Sequence, residues 1–333
     1  MKNRKYDVFG MGNALVDMEF EVTEEFLQKY EVDKGMMTLV DEKRQFFLLE
    51  AMEKESTKMQ CGGSAGNSMI SISQFGGRSF YSCKVANDEF GRFFIKDLHA
   101  SGVDSKLKMN NPPEGITGKC LVMITPDADR TMNTFLGITS TFSTEELDAE
   151  ALKDSSFLYI EGYLVASSTG QKAMVKAHEI ATQHGVKTAL TFSDPNMVKY
   201  FNDGMHEVVG KGIDLIFCNE DEALTYTSTS RIEDAREKLK QVANTFVITQ
   251  GKNGAMIFDG DTFIDIEPYH VNAVDSNGAG DMFAGAFLYG ITHGHSYAQA
   301  GKIASLASSK VVAQFGPRLE WSQTKEILNH LFE

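Results

Sequence analysis

The chain has 333 residues, of which 42% are hydrophobic and 23% are charged, enough to bury a large core in one big domain or two of moderate size. Asp and Glu number 46 against 32 Lys and Arg, and this formal charge of −14 argues against nucleic acid or an anionic membrane as a partner. No apolar run approaches the roughly 20 residues of a membrane helix, so we expect a cytoplasmic protein that binds phosphate only locally, if at all.

Short apolar runs alternate with longer amphipathic runs along most of the chain. The short runs predict buried strands over 6–11, 80–85, 157–160, 187–191, 213–218 and 246–249. The longer runs have apolar residues at three- and four-residue spacing and predict helices over 41–52, 64–75, 89–99, 170–184 and 232–242. This order predicts one α/β domain, residues 1–333, with a mostly parallel sheet between helices.

Four other runs alternate like half-exposed strands and do not fit a strand–helix–strand unit: 18–22, 36–40, 118–124 and 131–135. The last two are joined by the turn-rich segment 126–129. We expect them to form a small second sheet over the main one, from discontinuous segments of about 14–40 and 115–137. Such a cover would exclude water during a transfer reaction. A β extension that packs on a neighbouring subunit is the compatible alternative, and exposed edge strands make a homodimer through this sheet possible.

The last part of the chain, from residue 281 to residue 332, is almost entirely helical in pattern. These helices are expected to cover a sheet that is already built. The four cysteines are far apart in apolar, strand-like segments, which favours reduced, buried thiols over a zinc site or a disulfide framework.

Residues 275–281 read Asp-Ser-Asn-Gly-Ala-Gly-Asp and lead directly into an amphipathic run over 282–290. Gly278 and Gly280 let the backbone approach a ligand closely, and a helix start offers free N–H donors and a positive dipole end. These features predict an anion site. Asp281 would repel that anion, so we interpret it as the proton acceptor for an incoming hydroxyl. A simple helix-capping role for Asp281 fits the local string equally well.

The glycines after the first strand suggest two different sites. Gly10-Met11-Gly12 resembles the start of a dinucleotide fingerprint, but Leu15 stands where the third glycine belongs. The small residues and Asp17 are better interpreted as the floor of a polar site, where a carboxylate accepts hydrogen bonds from hydroxyls.

The string Gly62-Gly63-Ser64-Ala65-Gly66 has the spacing of a nucleophile elbow and follows a possible strand, 57–61. A serine hydrolase acting through Ser64 would also need an oxyanion loop and a partnered histidine, and the sequence has no His-Gly-Gly-Gly. The alternative is that Gly62 and Gly63 hinge the cover while Asn67 binds a substrate hydroxyl.

Two further strings follow predicted strands. Asn219 and Glu222 stand one turn apart at a helix start, where they can hold a hydrated magnesium ion or simply cap the helix. Residues 249–254, Thr-Gln-Gly-Lys-Asn-Gly, form either a nucleotide loop or a turn between two strands. No Gly-x-x-x-x-Gly-Lys-Ser/Thr string occurs, which excludes a P-loop NTPase.

Together these strings resemble the ribokinase/PfkB family of carbohydrate and nucleoside kinases, and within it the adenosine-kinase-like branch. The similarity runs from about residue 10 to residue 317. The family's double glycine followed by Asn is matched by Gly62, Gly63 and Asn67. Its Asp-Thr-x-Gly-Ala-Gly-Asp signature is matched by 275–281, with Ser276 in place of Thr.

The resemblance implies a ribokinase-like three-layer α/β/α fold with a small β-sheet lid, and ATP and Mg²⁺ as cofactors, with a possible monovalent cation near the anion hole. It also implies a role for each matched residue. The catalytic group comprises Asp281 as base, the amides of Gly278, Ala279 and Gly280 as anion hole, and Arg130 at the phosphates. The substrate group comprises Asn13, Asp17, Gly62, Gly63 and Asn67. The ATP group comprises Asn219, Thr249, Gly251, Gly254, Asp275 and Ser276, and the metal group Asn219 and Glu222.

The expected acceptor is a primary hydroxyl, and the branch resemblance around Asp17 and residues 131–137 favours the 5′-hydroxyl of adenosine, with AMP as product. A sugar kinase acting on ribose, fructose or a related sugar is the alternative, because Asn13 and Asp17 bind hydroxyls that both classes share. Met37, Phe135 and Leu136 are candidates to stack on a base, although such residues are more often core. A catalytically silent binding protein on this scaffold is disfavoured by the retained Asp281 and glycines.

Overall fold

The computed structural model describes residues 4–52, 58–109, 112–127, 129–210 and 212–332. Within these ranges no helix is both long enough and apolar enough to cross a membrane. The basic start at residues 1–3, the first residue of the possible strand 57–61 and Ala128 of the predicted turn lie outside the described residues.

The described residues form fourteen strands that belong to two sheets. In chain order they are β1 (Tyr6–Met11), β2 (Leu15–Glu21), β3 (Met37–Leu39), β4 (Lys58–Gly62), β5 (Ser79–Ser82), β6 (Asp104–Ser105), β7 (Thr117–Ile124), β8 (Arg130–Gly137), β9 (Ser155–Glu161), β10 (Lys187–Thr191), β11 (Ile213–Asn219), β12 (Ala243–Thr249), β13 (Ala255–Phe258) and β14 (Phe263–Ile266).

The helices of the described residues are, in chain order, α1 (Glu24–Lys29), α2 (Glu42–Met52), α3 (Ser64–Gln74), α4 (Glu89–Ala100), α5 (Ala149–Lys153), α6 (Ser168–His184), α7 (Pro195–Tyr200), α8 (Asn202–Val209), α9 (Glu220–Thr227), α10 (Ile232–Leu239), α11 (Ala279–Thr292), α12 (Tyr297–Val312) and α13 (Trp321–Phe332). Short 3-10 helices lie at Ile138–Thr141, Gly162–Ala166 and Gly251–Asn253. Local sequence explains several boundaries: the side chains of Asp88 and Ser167 cap α4 and α6, and Gly185 ends α6 in the left-handed conformation.

The large sheet has the strand order β14-β13-β12-β11-β10-β9-β1-β5-β6. Its strands from β12 to β6 are parallel, as the alternation of strands and helices predicts. The antiparallel strands β13 and β14 are additional to the predicted elements. They form a hairpin whose loop contains Asp259-Gly260, with Gly260 at φ +103°, which is a common hairpin signal in sequences.

Two apolar cores lie on opposite faces of the large sheet. Consecutive strand residues point to opposite faces, so Val8 and Leu215 belong to one core while Phe9 and Ile216 belong to the other. The first core is completed by α3, α11 and α12, and the second by α6, α8 and α10. The three-layer α/β/α arrangement is therefore confirmed. The four cysteines are buried and free, as expected.

The smaller sheet has the order β3-β8-β7-β2-β4. Four of its strands correspond to the four alternating runs, and β4 joins them as a fifth strand, antiparallel to β2. Its inner face contributes Val16, Met18 and Leu121 to the first core, which continues without a break from the large sheet. The smaller sheet therefore packs over the end of the large sheet where β1 finishes.

Candidate active site

A crevice opens at the carboxyl ends of the parallel strands. From β1 the chain proceeds outward to β5, whereas from β9 it proceeds in the opposite direction to β10, so the order of the sheet reverses between these neighbours. Open α/β sheets bind ligands at such a reversal, because the connecting segments separate there. Asn13 follows β1, Glu161 ends β9, and Asn219 and Thr249 end β11 and β12. All four residues line a cavity of about 440 Å³.

A second cavity, of about 360 Å³, lies beside the first. The two share Thr249, Gly280 and Phe283 in their linings, so they meet at the first turn of α11. The first cavity extends from there to the smaller sheet. The second extends between residues 251–254 and α12. Two joined compartments that meet at a glycine turn suit a reaction between two small molecules.

Asp281 lies in the first turn of α11 and opens into the first cavity. Ser64 Oγ donates to one carboxylate oxygen over 2.6 Å, and Asn67 Nδ2 donates to the other over 3.2 Å. Burial raises the pKa of Asp281 to about 6, and these two donors act in the opposite direction. The carboxylate is therefore held in place and ionised at neutral pH, with a basicity suited to proton transfer.

The glycine turn before Asp281 has a backbone conformation that favours glycine, as the sequence predicts. Gly278 is the N-cap of α11 at φ +74°, and a Cβ there would overlap Pro317. The first bond of the helical ladder runs from Met282 N to the Gly278 carbonyl over 2.8 Å. The amides before Met282 precede that ladder. Gly280 lines both cavities, whereas the Ala279 amide already donates to the Ser276 carbonyl over 3.3 Å.

Asp275 is buried, and its carboxylate holds this turn through hydrogen bonds. Its carboxylate accepts from Asn277 N over 3.0 Å and from Gly316 N over 2.9 Å. It also pairs with Arg130 Nε at 3.1 Å. Asp275 thus ties the glycine turn to residue 316 and to the smaller sheet, while Ser276 lines the second cavity.

Arg130, which was predicted to contact the phosphates, is buried beside two carboxylates. Its side chain is 7% exposed, pairs with Asp275 and, at 3.6 Å, with Glu19, and packs over the Phe315 ring. Arg130 is not among the described residues that line either cavity. Two carboxylates hold the guanidinium back from the cavity, because a buried charge needs opposite charges around it. Its role at the phosphates stays a prediction.

The predicted substrate residues meet at the inner end of the first cavity. Asp17, Gly63, Asn67 and Asn13 all line it. Gly62 is required beside Asp17, since a Cβ there would overlap the Asp17 carboxylate.

The side-chain atoms of Asn13 are already hydrogen-bonded within the protein. Its Nδ2 donates to Glu161 over 2.8 Å, and its Oδ1 accepts from Thr139 over 3.3 Å. Asp17 differs: its carboxylate accepts no hydrogen bond from any described residue. Burial raises the pKa of Asp17 to about 7. The inner end of the cavity thus presents one carboxylate with free acceptor capacity.

Asn219 and Glu222 form a reciprocal capping box at the start of α9. The Asn219 side chain accepts from Glu222 N over 2.8 Å, and the Glu222 carboxylate accepts from Asn219 N and Nδ2 over 3.0 and 2.9 Å. This is the helix-cap alternative expected from the sequence. Burial raises the pKa of Glu222 to about 7. Within the described residues there is no group of three or more His, Cys, Asp or Glu side chains placed to hold a metal directly.

Four of the six residues predicted for ATP line the second cavity, whereas Asn219 lines only the first and Asp275 is not among the described residues that line either. Thr249, Gly251 and Gly254 line the second cavity from the turn between β12 and β13. The segment is a turn between two strands, as one interpretation expected, and it lines a cavity, so its role as a nucleotide loop stays a prediction. Gly254 is at φ +90°, and a Cβ there would overlap the Ile266 carbonyl of β14.

Sequence reasoning missed two carboxylates in the first cavity, Glu161 and Asp194. Glu161 is 1% exposed, and burial raises its pKa to about 7. Asp194 caps α7 through Asn196 N. Glu161 directly follows the predicted strand 157–160, and Asp194 lies three residues after the predicted strand 187–191. A position after a predicted strand is the signal that identified Asn219 and that could have identified them as well.

An α/β protein with a carboxylate at a glycine turn, an adjoining second compartment and a small sheet above belongs to the class of small-molecule kinases. These features suit phosphoryl transfer, which depends on alignment and charge stabilisation.

Comparison with known proteins gives the same class. Residues 32–324 match the pfkB family of carbohydrate kinases, and the chain belongs to this family. A probable sugar kinase protein from Rhizobium etli CFN 42 has 32% identity and a TM-score of 0.89, covering 99% of this chain and 100% of that chain. The adenosine kinase from Sinorhizobium meliloti has 31% identity and a TM-score of 0.87, covering 97% and 99%. The adenosine kinase of Saccharomyces cerevisiae is 26% identical over 328 residues, 92% of this chain and 95% of that protein.

The chain is thus a phosphotransferase of an ATP-using kinase family, and the predicted family and ribokinase-like fold are confirmed. The serine-hydrolase alternative is wrong, and the structure shows why: the partner of the Ser64 hydroxyl is the Asp281 carboxylate. The dinucleotide alternative is wrong as well, because the chain after Gly12 enters strand β2 where that fingerprint needs a helix.

Proposed function

We propose that the protein transfers the γ-phosphoryl group of ATP to the 5′-hydroxymethyl group of a nucleoside, with adenosine as acceptor and AMP and ADP as products. Asp281 accepts the hydroxyl proton, the new O–P bond forms, and the bond to ADP breaks. The amides of Gly278 and Gly280 stabilise the charge on the transferred group, whereas the Ala279 amide is engaged by the Ser276 carbonyl. The meeting of the two cavities at Gly280 supports this assignment, because it lets acceptor and donor approach from opposite sides.

The outer wall of the first cavity supports a nucleoside, rather than a free sugar, as the acceptor. Five apolar side chains of the smaller sheet line it: Leu15, Met37, Leu39, Met132 and Leu136. A flat purine base fills such a space and buries apolar surface at about 25 cal/mol per Å². A free sugar would leave these apolar side chains exposed to water. A sugar kinase of the same family is the alternative, and the polar inner end at Asp17 suits it.

We further propose that the smaller sheet acts as a lid over the acceptor. Its strands supply the outer wall, and the chain crosses between the sheets at glycines, so closure would bring apolar side chains onto the base and exclude water.

Asn219 and Glu222 fit a magnesium ion that is held through water. Both Glu222 oxygens accept from Asn219, yet each oxygen retains a lone pair, and Asp194 lines the same cavity. Bound magnesium would neutralise phosphate charge, and the protein's part is to hold Asn219 and the Glu222 carboxylate in position.

The acceptor is tested by a screen. The protein is incubated with ATP and magnesium and with adenosine, other nucleosides, ribose or fructose, and ADP formation and the phosphorylated product are measured. We expect adenosine to be phosphorylated at the 5′ position. Transfer to ribose or fructose but not to any nucleoside would overturn the proposal and favour the sugar kinase.

The apolar wall gives a second test with a matched control. Met37→Ser removes an apolar contact from edge strand β3, and we expect the KM for adenosine to rise by about 5- to 30-fold while the KM for ATP is unchanged. Met59→Ser makes the same change on the other edge strand, at a side chain that is 39% exposed and is not among the described residues lining the cavity. Equal KM values for the two variants would contradict a base-binding wall.

The pH dependence tests the base. Since Asp281 must be ionised to accept a proton and its pKa is raised to about 6, kcat/KM for the acceptor should fall as the pH drops through about 6. Ser64→Ala removes a donor that lowers this pKa, so the acid limb should move to higher pH by about one unit. Ser68→Ala is the control, because Ser68 lies in the same helix as Ser64 but its hydroxyl donates to the Ser64 carbonyl and to the Tyr159 hydroxyl of β9. An acid limb that is unmoved in Ser64→Ala would assign it to another group.

A further inference from the structure

Two short segments of chain join the sheets beside the active site. One runs from β1 to β2 through residues 12–14, and the other runs from β4 into α3 through residues 62–65. The segments lie against each other, because a Cβ on Gly63, at φ +95°, would overlap the Asn13 carbonyl. Any movement of the smaller sheet over the cavity has to be absorbed in these segments or beyond them.

One carboxylate, that of Glu161, binds both segments. Its Oε1 accepts from Asn13 N over 3.1 Å and from Asn13 Nδ2 over 2.8 Å, and its Oε2 accepts from Ala65 N over 2.8 Å. Glu161 ends β9 of the large sheet and is 1% exposed. A buried carboxylate is costly unless donors surround it, and here the three donors come from the two joining segments.

The same contacts lead directly to the groups proposed to act on the acceptor. Ala65 is flanked by Ser64 and followed by Asn67, whose side chains hold the two oxygens of Asp281. Gly12 has no room for a side chain because a Cβ there would overlap the Glu161 carboxylate. Glu161 is thus packed against the first joining segment and hydrogen-bonded to the second.

We infer that Glu161 is a positioning residue, which fixes the two joining segments to the large sheet and thereby sets the acceptor-binding end of the cavity against the base. Its effect on catalysis is transmitted through Asn13 and Ala65, and the kinetic part of this inference rests on the proposed kinase reaction. Nothing in it requires contact between Glu161 and the acceptor.

Hydrogen–deuterium exchange tests the anchoring independently of any activity. Glu161→Gln keeps the size of the side chain but lacks the charge and one acceptor oxygen. Exchange at the amides of Asn13 and Ala65 should rise at least about tenfold. Asp214→Asn is the matched control, since Asp214 also accepts from a backbone amide and a side-chain amide, those of Thr188 and Asn244, near the amino ends of β10 and β11 and so away from the cavity. It should raise exchange at Thr188 and leave Asn13 and Ala65 unchanged.

Kinetics test the positioning. For Glu161→Gln we expect kcat/KM for the acceptor substrate, whichever compound the enzyme phosphorylates, to fall by about 10- to 100-fold, with an unchanged KM for ATP. Glu161 acts partly through the Asn13 side chain. The double variant Glu161→Gln/Asn13→Ala should therefore lose less kcat/KM than the product of the losses in the two single variants. Multiplicative effects would show an independent contact with the acceptor and overturn the inference, as would unchanged exchange at Asn13 and Ala65.

Misfolding of Glu161→Gln and an inactive wild-type protein can both be distinguished from failure of the inference. If Glu161→Gln does not fold, Glu161→Asp keeps the charge on a shorter side chain and should give the same pattern at smaller size; normal exchange and kinetics in Glu161→Asp would overturn the inference. If the wild-type protein phosphorylates no nucleoside or sugar, the proposed function fails while the exchange result still decides whether Glu161 anchors both segments.

Discussion

Asp281→Asn is expected to fold normally and to lose about 10²–10⁴-fold in kcat, the usual contribution of a general base. Asparagine has almost the same shape as aspartate, and its amide can still bond Ser64 and Asn67, so α11 should begin as before. It has no basic oxygen at neutral pH, and the acceptor hydroxyl would keep its proton as the O–P bond forms. The measurement is single-turnover phosphorylation of the acceptor, with thermal unfolding to confirm the fold.

Asp88→Asn is a matched control for that variant. Asp88 also accepts from a hydroxyl over 2.6 Å, that of Thr117, and it caps a helix through Gly91 N, but it is not among the described residues that line either cavity. It should lose stability and keep its kcat. A near-normal rate in Asp281→Asn would show that this carboxylate only caps α11, which is the other interpretation of the local sequence.

The cavity concentrates carboxyl groups whose pKa values burial has raised. The values are about 7 for Asp17, Glu161 and Glu222 and about 6 for Asp281. Such shifts cluster where a protein gives up stability for function. Each of the four has a different set of partners: Asp281 is held by two side chains, Glu161 by both joining segments, Glu222 by its own helix cap, and Asp17 by none of the described donors.

Local signals in the sequence were sufficient for much of the fold and part of the site. The strand over 187–191 and the carboxylate at the glycine turn each depend on residues that are adjacent in the chain. Both could therefore be predicted from a local sequence pattern. Helix α10 ends at Leu239, three residues before the predicted end at 242, because the chain must turn before it enters β12. Such boundaries depend on tertiary packing, which a local pattern does not contain.

Contacts between distant residues were beyond the sequence. Asn13 and Glu161 are 148 positions apart, and only the pairing of β1 with β9 brings them together. Arg130 lies one residue before the predicted strand 131–135 and begins β8 of the smaller sheet, and its pairing with Asp275 depends on how that sheet lies over α11. A single sequence shows that a charged residue is present, whereas its partner is set by the topology.

Gly278→Ala is expected to have the second large effect, because the change affects both the fold and the anion site. An alanine at φ +74° costs about 1–2 kcal/mol, and its Cβ would overlap Pro317, which adds about 1–3 kcal/mol of overpacking. The turn must shift to relieve that overlap, which moves the amides away from the transferred phosphoryl group. Loss of one such donor typically lowers kcat by about 10²–10³-fold. Thermal unfolding and kcat are the two measurements.

Two glycines in or beside the same helix separate the causes. Gly294 has φ +86°, and a Cβ there would meet none of the described atoms within 4 Å, so Gly294→Ala carries the conformational cost alone and should keep its kcat. A Cβ on Gly280 would likewise meet no described atom within 4 Å, but Gly280 lines both cavities, so Gly280→Ala should fold normally and weaken phosphate binding. If Gly278→Ala loses stability yet keeps its turnover, the amides of this turn do not stabilise the transferred group, and the anion hole must be sought elsewhere along the cavity.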